Sequence, residues 1–196
     1  MAIERGIFSS ARKAWIAVAA YTVFLYATLT IAYDIFMFYS NQVGPDSVLS
    51  YMNMAFVPVG VALLLFIIFS LPRVWGVYLS FALICLGVAF SLQILAIPAK
   101  RFHFFQYAPL TVLVFDALRF TIRDRFLYIW TLALVALIGL GDETLQWMLP
   151  NRYFGIVDLV VNTAAGLFAL AFIGFVLGEE NYPWGPQRSE DLTERF

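Results

Sequence analysis

Long apolar runs separated by short polar breaks dominate this chain. They fall at roughly 14–33, 54–71, 75–97, 103–120, 126–149 and 156–177, and each approaches the ~20 residues that a helix needs to cross a bilayer. The pattern predicts an all-α, polytopic integral membrane bundle of about six transmembrane helices. Trp15, Trp75, Trp130 and Trp147 fall near the ends of these runs, where the indole can meet both hydrocarbon and head groups. Pro58 and Pro109 lie inside two of them, and each removes a backbone donor and should kink its helix.

Composition agrees with the pattern. The chain is 62% hydrophobic and 13% charged, too apolar a surface for a soluble domain of this size. A net charge of −1 gives no reason to expect a nucleic-acid partner. The single cysteine, Cys85, allows no disulfide framework and reads as a small buried hydrophobe. The first run is too long for a signal-peptide core and reads as a retained span. Residues 1–178 form one transmembrane domain, with its chemistry in 98–178, and 179–196 reads as a polar cytoplasmic tail.

Polar residues concentrate in one place, Gly141–Gly166, with the sequence GDETLQWMLPNRYFGIVDLVVNTAAG. Glu143 and Gln146 are three apart and share one helix face. Asp158, Asn162 and Gly166 are four apart and share a face of the next. Pro150 to Gly155 supplies the turn. Folded about Arg152, the hairpin should set Glu143 level with Asn162 and Gln146 level with Asp158. A carboxylate at mid-membrane costs on the order of 2.5–3.5 kcal/mol on insertion scales. Such groups are therefore either interhelical ties or a working pocket.

This segment resembles the signature of the VanZ-like membrane protein family: an acidic residue, a glutamine three on, an arginine after the turn, then Asp, Asn and Gly at four-residue steps. Here these are Glu143, Gln146, Arg152, Asp158, Asn162 and Gly166. Upstream, KRFHFFQY matches a second family element through Lys100, His103 and Tyr107. The chain departs from the family at Leu170, where a second glycine is common. The resemblance implies a bacterial envelope protein and a link to glycopeptide resistance, but no reaction.

Lys and Arg favour the cytoplasmic side. With both termini cytoplasmic, nine of the twelve cations lie inside, and Lys100, Arg101 and Arg152 form an outer rim. Asp116 and Arg119 read as a pair at the cytoplasmic end, setting topology. A faint echo of SLQILAIPAKR in TLQWMLPNR raises the prospect of two duplicated hairpins, with Gln93 matching Gln146. The candidate catalytic residues are Glu143 as acid or base and His103 as its proton partner. Lys100, Tyr107, Gln146, Arg152, Asp158 and Asn162 are the candidate ligand-binding set, with arginine suited to bidentate phosphate contact. One histidine with scattered carboxylates has no recognised metal-ligand spacing, so neither metal nor cofactor is expected.

Two readings follow. In the first, the pocket engages an anionic envelope lipid, a lipid-linked glycan precursor or a glycopeptide-related ligand in a bacterial cytoplasmic membrane. In the second, the protein is a non-catalytic structural or assembly subunit packed against other membrane proteins. Transport has less support, because the acidic set sits at one end of the spans.

Overall fold

The computed structural model describes residues 7–71, 74–95, 98–150 and 152–178. The proposed tail, 179–196, lies outside them. The described chain is helical, without strands: α1 (Ala11–Ala27), α2 (Leu29–Val43), α3 (Pro45–Ser70), α4 (Trp75–Ile94), α5 (Pro98–Leu118), α6 (Phe126–Met148) and α7 (Ile156–Ala171), which runs on into a π-helical turn, Phe172–Leu177. Pro58 and Pro109 sit within α3 and α5, and both helices continue through them.

Among the described residues, four helices are long and apolar enough to cross a membrane: Pro45–Ser70, Trp75–Ile94, Phe126–Met148 and Ile156–Leu177. A fifth is reached if α1 and α2, bent by 47°, count as one broken span. The protein is thus a helical, multi-pass membrane protein of four to five such elements, and the count of six is not reached on length and hydropathy.

Two departures from the sequence reading explain the difference. The run expected at 14–33 breaks at Thr28, whose hydroxyl bonds back to Phe24 O at 2.8 Å. The 17 residues of α1 rise about 26 Å at 1.5 Å each, short of the ~30 Å hydrocarbon core. The residues between the expected spans 14–33 and 54–71, to which the sequence assigned no element, are helical as part of α2 and the start of α3. The second departure is α5. Its 21 residues are long enough, but it carries Lys100, Arg101, His103 and Asp116.

α5 tolerates those groups because it is the hub of the bundle. It packs against α7, α1, α6 and α3, and Tyr107, Leu110, Thr111, Val114 and Ala117 are fully buried. Gly166 lets α7 approach closely: a Cβ there would lie 3.1 Å from Thr111 Oγ1 and 3.3 Å from Val135 Cγ1. Tyrosines tie α1 to α5 and α6, with Tyr21 OH donating to Gln106 O at 3.0 Å and Tyr26 OH to Ile138 O at 2.7 Å. α3 and α4 instead leave most of their surface open (Val57, Phe69, Leu83, Phe90), as lipid-facing helices do. Cys85, expected to be buried, is exposed on α4.

α4 packs mainly on the π-helical turn of α7 and only marginally on α5. The two hairpins that the sequence echo relates, α4–α5 and α6–α7, are therefore packed differently. At the end of the bundle away from the polar hairpin, Asp116 does more than pair with Arg119. Both are buried; Asp116 accepts Arg119 Nε at 2.6 Å and the backbone N–H groups of Ile7 and Phe8 at 3.2 and 3.1 Å. Arg119 Nη2 donates to Phe8 O at 2.9 Å. The pair clamps the segment that leads into α1.

Candidate functional site

The polar residues converge where α5 begins, α6 ends and α7 begins. Glu143, Gln146 and Asn162 are buried, and Glu143 and Asn162 are fully so. The hairpin register differs from the expected one. α6 ends at Met148 and α7 starts at Ile156, and the non-helical segment 152–155 brings Gly155, in extended conformation, back beside the last turns of α6. Gly155 N–H donates to Glu143 Oε2 at 2.9 Å. Glu143 consequently faces the Asp158 level, and Asn162 packs one turn deeper against Gly139, where a Cβ would lie 3.2 Å from Asn162 Nδ2. The offset of about one helical turn is taken up by the linker, which no helical periodicity describes.

The two cations are engaged within the cluster. Lys100 Nζ pairs with Asp158 Oδ1 at 2.8 Å, each side chain about one-fifth exposed. Asp158 lies in the first turn of α7, where the helix dipole also favours a carboxylate. Arg152 Nη2 donates to Gln146 Oε1, and the guanidinium stacks over the Tyr33 ring at 4.6 Å from its centroid. Gln146 Nε2 in turn reaches Glu143 Oε1 at 3.4 Å. Arg101 does not join the rim. It is buried, with Nε on Leu95 O at 2.9 Å and Nη1 on Asn53 Oδ1, so it fastens α5 to α3 and to the end of α4.

His103 meets the others. One imidazole nitrogen and one carboxylate oxygen each from Glu143 and Asp158 all lie within 4.8 Å of one another. Three helices bring them together from positions 103, 143 and 158, a convergence that linear spacing does not reveal. Asn162 borders the ring closely enough to influence it, but the geometry falls short of a hydrogen bond. Both amide atoms of Asn162 and His103 Nδ1 are buried without a hydrogen-bond partner. A buried amide left unmatched is unusual, because it carries its full desolvation cost.

Tyr107, expected in the ligand-binding set, points its hydroxyl at a carboxylate of α6. It is fully buried, and its hydroxyl donates to Asp142 Oδ2 at 3.0 Å, so its polar atom is committed to a neighbour. Asp142 is the residue the sequence reading passed over: it is 2% exposed and adds a third carboxylate beside Glu143. Its adjacency to Glu143 in sequence was the available signal. One step along a helix turns a side chain by about 100°, which aims Asp142 at α5 while Glu143 faces the linker.

The arrangement is thus an acid–imidazole cluster, buried at Glu143 and half-buried at His103 and Asp158, with two cations at its edge. It can hold or pass a proton between Glu143 and His103, and a stronger anion can draw Lys100 from the Asp158 carboxylate and Arg152 from the Gln146 amide oxygen. An apolar groove of about 300 Å³, lined by Leu118, Ile122, Trp130, Ala133, Leu134 and Leu137, lies apart and contains none of these groups. Comparison with known proteins finds no match, whether among protein-family models, curated proteins or solved structures.

Proposed function

We propose that this is a VanZ-like protein of a bacterial cytoplasmic membrane. In this reading it has six spans, with α5 as the polar central one, and both termini are cytoplasmic. Its cluster opens toward the outer leaflet. There it receives the phosphate of an anionic envelope lipid, a lipid-linked glycan precursor or a glycopeptide-related ligand. Lys100 and Arg152 bind the anion, Glu143 and His103 form the acid–base pair, and Asp158, Gln146 and Asn162 orient them.

The observation that carries the reading is the meeting of His103, Glu143 and Asp158 within 4.8 Å, edged by Lys100 and Arg152. Simple interhelical ties could be built from serine or threonine at lower cost in the membrane. Arg152 uses one Nη donor and one ring face within the protein, and its remaining donors suit a phosphate. One observation favours the alternative of a non-catalytic assembly subunit: Lys100 and Arg152 already have protein partners.

The test is lipid retention. The protein is purified in mild detergent from bacterial membranes and examined by native mass spectrometry. Wild type should retain an anionic lipid, and Arg152→Ala and Lys100→Ala should lose it while remaining folded. Equal retention by all three would remove the head-group reading and leave the assembly reading.

A further inference from the structure

We infer that His103, Glu143 and Asp158 form a binding site for a divalent first-row transition ion of the zinc class. The inference concerns the same cluster as the head-group reading but does not rest on it, because an ion needs only these protein ligands.

Four observations support it. One nitrogen and two carboxylate oxygens, each from a different helix, lie within 4.8 Å of one another. Around zinc, with bonds of about 2.0–2.2 Å, such atoms stand roughly 3.3–3.5 Å apart, so closure by about an ångström, within the reach of side-chain rotation, completes the set. Three protein ligands with one position left open is the composition of reactive zinc sites. Imidazole among the ligands favours zinc-like ions over magnesium or calcium, which prefer oxygen alone.

The second observation is independent of the ligand set. Asn162 is fully buried, borders His103 and has neither amide atom partnered. An ion at His103, with the water such sites carry, gives that amide something to bond, and it would orient the imidazole as outer partners of metal-bound histidines do. Third, the chain keeps space there. Gly155 has no Cβ where one would meet Asp158 Oδ2 and come within 3.2 Å of Glu143 Oε2. Fourth, the charges do not balance. Among the described residues, the three carboxyl groups of Asp142, Glu143 and Asp158 stand beside two cations, Lys100 and Arg152, so acidic groups outnumber the resident cations. Lys100 occupies Asp158 Oδ1 and is the resident cation that the ion displaces.

The experiment uses the full chain, stripped with chelator and reconstituted in phosphatidylcholine nanodiscs without anionic lipid. Binding of Zn²⁺ alone is measured by titration and metal analysis, with Mg²⁺ as the contrast. Wild type should bind one Zn²⁺ per chain and melt at a higher temperature with it, and Mg²⁺ should do neither. His103→Ala and Glu143→Gln should each weaken Zn²⁺ by at least the roughly 10–100-fold typical of losing even an outer partner. Lys100→Met should tighten Zn²⁺ several-fold by removing the competing cation. That variant keeps the proposal testable if a ligand variant fails to fold. Absence of stoichiometric Zn²⁺, binding unchanged in His103→Ala, or weakened binding in Lys100→Met would each overturn the site. Because no anionic lipid is present, such a failure leaves the head-group reading standing, and loss of lipid retention leaves the ion site standing.

Discussion

Glu143 is where charge and shape can be separated most cleanly. Its fully buried carboxylate accepts the Gly155 N–H at 2.9 Å and Gln146 Nε2 at 3.4 Å, and Asp142 and Asp158 are near enough to repel it. Glu143→Ala deletes the acceptor for Gly155 and leaves a stranded donor at a cost of about 1–3 kcal/mol. The void left behind adds to that, for a total of about 2–4 kcal/mol. At roughly 2–4 °C per kcal/mol for a chain of this length, the melting temperature should fall by about 4–16 °C. Glu143→Gln keeps an oxygen for Gly155 and removes one of three crowded negative charges. Its stability should stay within about 1 kcal/mol of wild type or rise, since a carboxylate is costly to desolvate. Tryptophan-fluorescence melts in detergent measure both variants, and abundance in membranes checks insertion. If Glu143→Gln melts as low as Glu143→Ala, the charge itself holds the fold and the pocket argument fails. If the proposed function holds, Glu143→Gln should insert normally yet lose whatever effect wild type has on glycopeptide susceptibility or envelope lipid composition. A full effect in that variant would sink the acid–base role.

Three further outcomes are expected. Asp158→Asn should destabilise more than Glu143→Gln, by about 1–3 kcal/mol, a range between exposed and buried ion pairs. The reason is that Lys100, four-fifths covered, loses its partner; its effect on function should be the smaller of the two, and a paired melt and susceptibility assay reads both. Asp116→Ala should cost about 3–5 kcal/mol by stranding buried Arg119 and should expose the segment before α1 to protease, whereas an unchanged melt would dismiss the clamp. In a Cys85→Ser background, Asn151→Cys should react with a membrane-impermeant maleimide from outside intact cells, and reaction only after permeabilisation would reverse the orientation and move the cluster to the cytosol.

Local sequence was enough for the helical class, since runs such as 75–97 and 126–149 can satisfy their backbone polar groups in a membrane only as helices. It was also enough for the face shared by Glu143 and Gln146, and for that shared by Asp158 and Asn162, because a 3.6-residue period sets which side chains stand together. The break of the first run at Thr28 and the helical character of α2 were not legible there, because an apolar run does not show where its helix bends. Nor was the central place of α5: its run at 103–120 reads as one span among six, and only the packed structure surrounds it with α1, α3, α6 and α7. Tertiary structure likewise decided that Arg101 is a buried tie, that Tyr107 is committed to Asp142, and that Glu143 stands level with Asp158. These depend on distances between segments far apart in the chain and on a non-helical linker, neither of which a period along one helix encodes. The meeting of His103, Glu143 and Asp158 belongs to the same class: each residue was visible as a polar exception, but their common centre exists only once three helices pack.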